Sequence, residues 1–261
     1  MDTERSLKVG LLQLNIAWLD PYKNLDEIES QLQMINCDLD LLVLPEMFTT
    51  GYLLQPKSYL PQMRALDKVL DRLCSISTQY QTAIMGTTPM IEKDDIFNRC
   101  YLVNNDKISI YDKIHLYSPV GEDKEYTAGT KIINFDLGGI TIRPLICYDL
   151  RFPYLAMMSE PYQLLIYMAN WPIPRIHHWN HLLRARAIEN QCYTIGVNRV
   201  GGDANKIHYN GSSAIYRFDG EEVIKLNDEE NLTVVSLDLK QQEEYRLKLP
   251  FRQDRLGIGF I

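Results

Sequence analysis

The chain has 261 residues and a mass of 30.3 kDa; 46% of its residues are apolar and 23% charged, which excludes intrinsic disorder and leaves enough apolar material for a core that needs no staple. Twenty-seven Lys and Arg against 34 Asp and Glu give a net charge of −7 and a pI near 5.3. That balance argues against nucleic acid or an anionic membrane as the main partner, but not against a small anionic substrate held by local cations.

Residues 6–16 alternate as a strand does. Asp20 and Pro21 then supply an N-cap and first helical position for an amphipathic stretch over 22–36. Residues 40–45, an apolar run bounded by charge and proline, read as a buried strand. The period over 63–80 is helical, with Leu66, Val69, Leu70 and Leu73 on one face, and 82–87 returns to strand. Strands at 97–103 and 107–113 flank Asn104-Asn105-Asp106, and strands at 131–136 and 140–147 flank Leu137-Gly138-Gly139; both are hairpin signals. A strand at 164–169, a helix at 177–191 and a strand at 193–198 follow. Asp219-Gly220 turns between strands at 211–218 and 221–226. A strand at 232–237, a short helix at 240–247 and an apolar tail, Leu256–Ile261, complete the reading. No Pro-, Gly- or Ser-rich linker, repeat or low-complexity segment divides the chain, so residues 1–261 read as a single α/β domain with sheets covered by helices on their outer faces.

The five cysteines are odd in number and spread widely, and no C-x-x-C pair occurs. Neither a zinc site nor a disulfide framework is expected, and a reducing cytoplasm is the expected home. The segment Met-Asp-Thr-Glu-Arg-Ser carries acids where a signal peptide carries bases, and no apolar run approaches the ~18 residues of a membrane span.

Three predicted strands end in a reactive residue: Leu42-Val43-Leu44-Pro45-Glu46, Ile110-Tyr111-Asp112-Lys113, and Arg143-Pro144-Leu145-Ile146-Cys147. Ligands of α/β folds gather at the carboxyl ends of strands, so a carboxylate, an ammonium and a thiol are expected to meet in one pocket. A thiol with a carboxylate base and a nearby cation suits acyl transfer, because a thioester divides amide hydrolysis into two easier steps. Cys147 is expected at a helix N-terminus, where field and proton transfer together would activate it.

Leu-Pro-Glu-Met-Phe at 44–48, Tyr-Asp-Lys-Ile-His-Leu at 111–116 and Cys-Tyr-Asp-Leu-Arg-Phe-Pro at 147–153, in this order, resemble the nitrilase, or carbon–nitrogen hydrolase, superfamily. Within it, Cys-Tyr-Asp-Leu-Arg-Phe-Pro together with Ala-Asn-Trp-Pro-x-Pro-Arg-x-x-His-Trp at 169–179 is similar to the ω-amidase branch, supported by Arg-Ala-Arg-Ala-Ile-Glu-Asn-Gln at 184–191 and Asn-Arg-Val-Gly at 198–201. The resemblance implies a four-layer αββα sandwich, no cofactor, and a homodimer whose interface takes in residues 240–261. It implies hydrolysis of a small 2-oxo dicarboxylate monoamide, 2-oxoglutaramate or 2-oxosuccinamate; a nitrilase, an N-carbamoyl amino acid hydrolase and a non-enzymatic binding member are the alternatives. By the same resemblance Cys147 is the nucleophile, Glu46 the base, and Lys113 with the Tyr148 backbone N–H the oxyanion donors. Glu122 is the second glutamate, with Glu125 as the other choice.

Such a substrate needs a cation for its carboxylate. Arg175, in a loop stiffened by Pro172 and Pro174, is the candidate; Arg199, Tyr52 or a backbone N–H could serve instead. Trp171 is expected to wall the pocket. Asp149 and Arg151 read as an ion pair or cap that fixes the bend after Cys147, and His115 as a hydrogen-bonded scaffold residue. His177 and His181 have the i, i+4 spacing of metal ligands, but the H-E-x-x-H glutamate is missing, and no metal is expected.

Overall fold

The computed structural model describes residues 6–64, 66–157 and 161–254. In chain order its first elements are β1 (Ser6–Gln13), α1 (Pro21–Met34), β2 (Leu41–Val43), α2 (Leu60–Arg64), α3 (Asp67–Tyr80), β3 (Ala83–Glu92), β4 (Asp95–Asn104) and β5 (Lys107–Asp112). There follow α4 (Glu122–Glu125), β6 (Phe135–Leu137), β7 (Ile140–Ile146), β8 (Leu164–Ala169), α5 (Ile176–Asn190) and β9 (Tyr193–Asn198). The remainder comprises β10 (Val200–Gly202), β11 (His208–Asn210), β12 (Ala214–Tyr216), β13 (Glu222–Lys225), β14 (Asn231–Asp238) and α6 (Leu239–Lys248).

Two six-stranded sheets result, ordered β14-β1-β2-β3-β4-β5 and β13-β12-β9-β8-β7-β6, with β10 and β11 as a separate ribbon. The centre of each is parallel: β1, β2 and β3 in one, β7, β8 and β9 in the other. Parallel strands must bury both faces, and β2 shows how period-two alternation achieves this. Leu41 and Val43 face the other sheet, whereas Leu42 packs with the buried Leu25, Ile28 and Leu32 of α1 and Val69, Leu73 and Ile76 of α3. Each such aliphatic side chain contributes about 1.5–3 kcal/mol by leaving water. On the outer face of the second sheet α5 presents Trp179, Leu183 and Ala187. It comes so near that a Cβ on Gly196 of β9 would lie 2.4 Å from Leu183 Cδ1, so only glycine permits the approach. The layers are therefore helix, sheet, sheet, helix, the αββα sandwich expected from the sequence.

Asp20 caps α1 as expected, accepting from the Lys23 N–H. The helix expected over 63–80 is two pieces, because the Leu66 N–H bonds to the Met63 carbonyl and the Val69 N–H to that of Leu66, tightening the chain between α2 and α3. The strand expected to stop at Thr87 runs on to Glu92, paired throughout with β4. The strand expected at 131–136 is confined to Phe135–Leu137, and that at 211–218 to Ala214–Tyr216. The ribbon of β10 and β11 was not anticipated. The tail Leu256–Ile261 lies outside the described residues.

Candidate active site

The carboxyl ends of strands from both sheets converge. Lys113 follows β5, Cys147 follows β7, Asn170 follows β8, and Glu46 stands just past β2. Two of these corners bend through left-handed backbone: Met47, next to Glu46, has φ 49° and Cys147 itself φ 42°. Cys147 opens a short 3₁₀ turn, Cys147–Arg151. This corrects the expected helix N-terminus: a single turn aligns too few peptide dipoles to act as a helix does on the thiol.

Glu46, Lys113 and Glu122 form a buried cluster, with side-chain exposures of 0%, 1% and 1%. Lys113 Nζ donates to Glu46 Oε1 at 3.1 Å and to both oxygens of Glu122 at 2.9 Å. Burial alone would lower the lysine pKa; the carboxylates of Glu122 and Glu46 overrule it and hold the ammonium far above its ordinary range. Glu122 also accepts from the Tyr117 N–H at 2.5 Å, and Asn98 Nδ2 donates to Glu46 Oε1 at 2.8 Å. Glu125, the other choice for the second glutamate, is half-buried and makes no bond to Lys113. Of the two, Glu122 is the one brought to Lys113.

The Cys147 thiol is pushed well up by burial and by Glu46, with Lys113 opposing them.

Asp149 fixes the bend after the thiol, as expected. It accepts from the Ile146 N–H at 3.0 Å, the His115 N–H at 2.9 Å and the Tyr111 hydroxyl at 2.8 Å. His115 stacks on Phe152 with ring centroids 3.7 Å apart, which makes it a scaffold residue. The expected Asp149–Arg151 ion pair is absent among the described contacts. Arg151 instead lies over the Trp171 ring at 4.9 Å and bonds to His178 Nδ1 at 3.2 Å.

These groups open into a cavity of about 570 Å³, counted with its mouth. Cys147, Glu46 and Lys113 line it together with Tyr52, Tyr148, Asn170, Trp171, Arg151 and Arg175; Tyr209 of β11 and Ile207 just before it also line it. Arg175 sits 5.6 Å from the Tyr117 ring centroid, its carbonyl accepting from Trp171 Nε1 at 2.7 Å. Among the described residues no carboxylate pairs with Arg151 or Arg175, so two cations face the cavity uncompensated. Arg199 does not line it: the side chain is fully buried behind Tyr209 and donates to the carbonyls of Ile16, Val200 and Gly202. Burial, with Glu122, Glu46 and Cys147 nearby, raises Tyr52 well above the usual phenol range, so its hydroxyl stays a donor. His181 Nδ1 lies 2.6 Å from the His177 carbonyl, a bond within α5.

Asn98, Asn170 and the ribbon residues were missed in the sequence, and Arg151 was read as an ion-pair or cap residue rather than as part of the cavity wall. The signal for Asn170 was available, since it follows a predicted strand end as Cys147 does. Asn98 lies inside a strand, and only its inward position distinguishes it.

A family model described as Carbon-nitrogen hydrolase matches residues 8–247. The chain is 39% identical to Omega-amidase YafV of Escherichia coli over 95% of its own length and 96% of that protein's. It is 30% identical to 2-oxoglutaramate amidase of Bacillus subtilis, covering 94% and 96%. Among solved structures it is similar to XC1258 of Xanthomonas campestris, a CN-hydrolase superfamily protein with an arsenic adduct in its active site: the TM-score is 0.89 at 30% identity, over 98% of this chain and 100% of that one.

Proposed function

Since the chain belongs to the carbon–nitrogen hydrolase family, in its ω-amidase branch, and is an amide-hydrolysing enzyme, we propose that it cleaves the side amide of a small 2-oxo dicarboxylate monoamide, 2-oxoglutaramate or 2-oxosuccinamate, through a thioester on Cys147. The observation that carries this reading is a cavity in which a thiol, the Glu46–Lys113 pair backed by Glu122, and two arginines with no carboxylate partner among the described residues meet. The name of the Bacillus subtilis relative supports the 2-oxo acid.

Glu46 takes the thiol proton as sulfur adds to the amide carbon. Lys113 and the Tyr148 backbone N–H hold the oxyanion, each donor contributing about 3 kcal/mol in a dry site. Glu46 returns the proton to the nitrogen, the C–N bond breaks and ammonia leaves. Water then adds to the thioester with Glu46 as base, the C–S bond breaks, the diacid departs and the thiol regains its proton. Glu122 keeps Lys113 charged and aimed. Trp171 and Tyr52 flank the acyl chain, and Arg175 grips its carboxylate.

Ammonia release from a panel of ω-amides, nitriles and N-carbamoyl amino acids tests the reading; fastest turnover of a nitrile or carbamoyl compound overturns it. Arg175→Leu is expected to lower kcat/KM for the preferred 2-oxo amide roughly ten- to a hundredfold, the equivalent of a charge-assisted contact of about 1.5–3 kcal/mol. An uncharged amide of equal length should be hardly affected. Arg175→Lys should recover only part of the loss, because a point charge cannot replace the guanidinium fork. Equal losses on both amides would mean that Arg175 only supports its loop.

The reading also holds that the enzyme works in the cytoplasm, where its five free cysteines would stay reduced, and acts as a homodimer. Ile188 of α5 and Val223 of β13, 47% and 40% exposed, offer apolar surface for such a contact. Sedimentation at micromolar concentration should give twice the 30.3 kDa chain mass; the mass of one chain would reject the dimer.

A further inference from the structure

Asn170 follows β8 and stands beside the base of the proposed reaction. Its backbone N–H donates to Glu46 Oε2 at 2.9 Å. Its side-chain Nδ2 donates to the Glu46 carbonyl at 2.9 Å and approaches Oε2 at 3.4 Å. Those contacts fix the orientation of the side-chain amide, since a flip would set Oδ1 against a carbonyl and a carboxylate, three acceptors with no proton between them. Oδ1 is therefore turned away from Glu46. The residue is 7% exposed and lines the cavity, yet Oδ1 has no hydrogen-bond partner. A buried acceptor left unpaired is costly, so one in a substrate cavity marks the place of a donor that arrives with the ligand.

An amide brings one acceptor and two donors. Its oxygen is matched by Lys113 and the Tyr148 N–H in the proposed reaction, which leaves the two N–H groups to be received. The nitrogen must come to rest beside Glu46, because Glu46 protonates it before the C–N bond breaks. Asn170, held against Glu46 through its N–H and Nδ2, carries such an unpaired acceptor in Oδ1.

We propose that Asn170 Oδ1 accepts a hydrogen bond from the –NH₂ of the substrate, holding the nitrogen against Glu46 until ammonia leaves, and that this contact makes the site selective for primary amides over esters and nitriles. The proposal rests on the amidase reading above. Neither an ester nor a nitrile offers an N–H at this position, and each would leave Oδ1 unpaired.

The test is the ratio of kcat/KM for a primary amide to that for the methyl ester of the same acid, using whichever primary amide the enzyme turns over fastest. Both compounds give the same thioester, and both need Glu46 in its hydrolysis. Asn170→Ala should lower the ratio by roughly ten- to a hundredfold. Asn170→Asp keeps an acceptor, and should hold the ratio within about threefold of wild type even as both rates fall beside Glu46. If the alanine variant does not fold, Asn170→Ser, whose oxygen is too short to reach, is expected to shift the ratio in the same direction. Equal losses on amide and ester would overturn the proposal and leave Asn170 as a brace for Glu46. Failure to hydrolyse 2-oxoglutaramate would overturn the substrate reading alone, since the ratio is then measured with another amide.

Discussion

Cys147→Ala is expected to abolish amide turnover, by at least about 10⁵-fold, the scale of loss when a nucleophile is removed from groups that act as a unit. The fold should survive, because the three hydrogen bonds that Asp149 accepts hold the bend without the sulfur. Cys147→Ser should be nearly as inactive. A site that already raises the pKa of a thiol by burial and by Glu46 raises that of an alcohol from a far higher starting value, and Glu46 cannot take its proton. Mass spectrometry of wild-type enzyme quenched during turnover should find an acyl adduct on the peptide that contains Cys147. An adduct elsewhere, or an active alanine variant, would refute the covalent mechanism.

Glu46→Gln and Lys113→Met should each lower the rate by several orders of magnitude, and the double variant should be little worse than the worse single one. Glu46, Lys113 and Glu122 share one buried set of hydrogen bonds, so the loss of any member disturbs the placement of the others. Stability should separate the two single variants. Glu46→Gln removes one of two buried negative charges and leaves Lys113 paired with Glu122. Lys113→Met leaves two buried carboxylates without a cation, a change that costs about 3–5 kcal/mol when one side of a buried pair is removed. A thermal melt should therefore show the methionine variant as the less stable. Additive losses in activity would mean that the two residues serve separate steps.

The reach of the sequence can be judged from these same residues. That Glu46, Lys113 and Cys147 share one cavity was legible because each closes a strand expected from the sequence, Glu46 and Cys147 after apolar runs and Lys113 after an alternating one. Strand centres were legible too: the runs at 164–169 and 193–198 coincide with β8 and β9. What the sequence hid was contact between residues far apart along the chain, even within one sheet. Asn98 reaches Glu46 from within β4, and Arg151 turns from Asp149 to Trp171 because the ring of a distant loop lies beneath it. Neither is expressed as a spacing along the chain. The ribbon of β10 and β11 was hidden too, since two three-residue strands of mixed polarity carry no periodic signal, although it supplies Tyr209 to the cavity wall.

The left-handed bend at Cys147 sets the interests of the fold against those of the chemistry. A residue with a Cβ held at that φ gives up about 1–3 kcal/mol, most of which glycine would recover. Position 147 is thus a locally frustrated point, where a search for stabilising substitutions would favour glycine and so discard the thiol proposed as nucleophile. On that reading, a library that ranks variants of this enzyme by heat resistance alone works against activity at this position and should hold it constant.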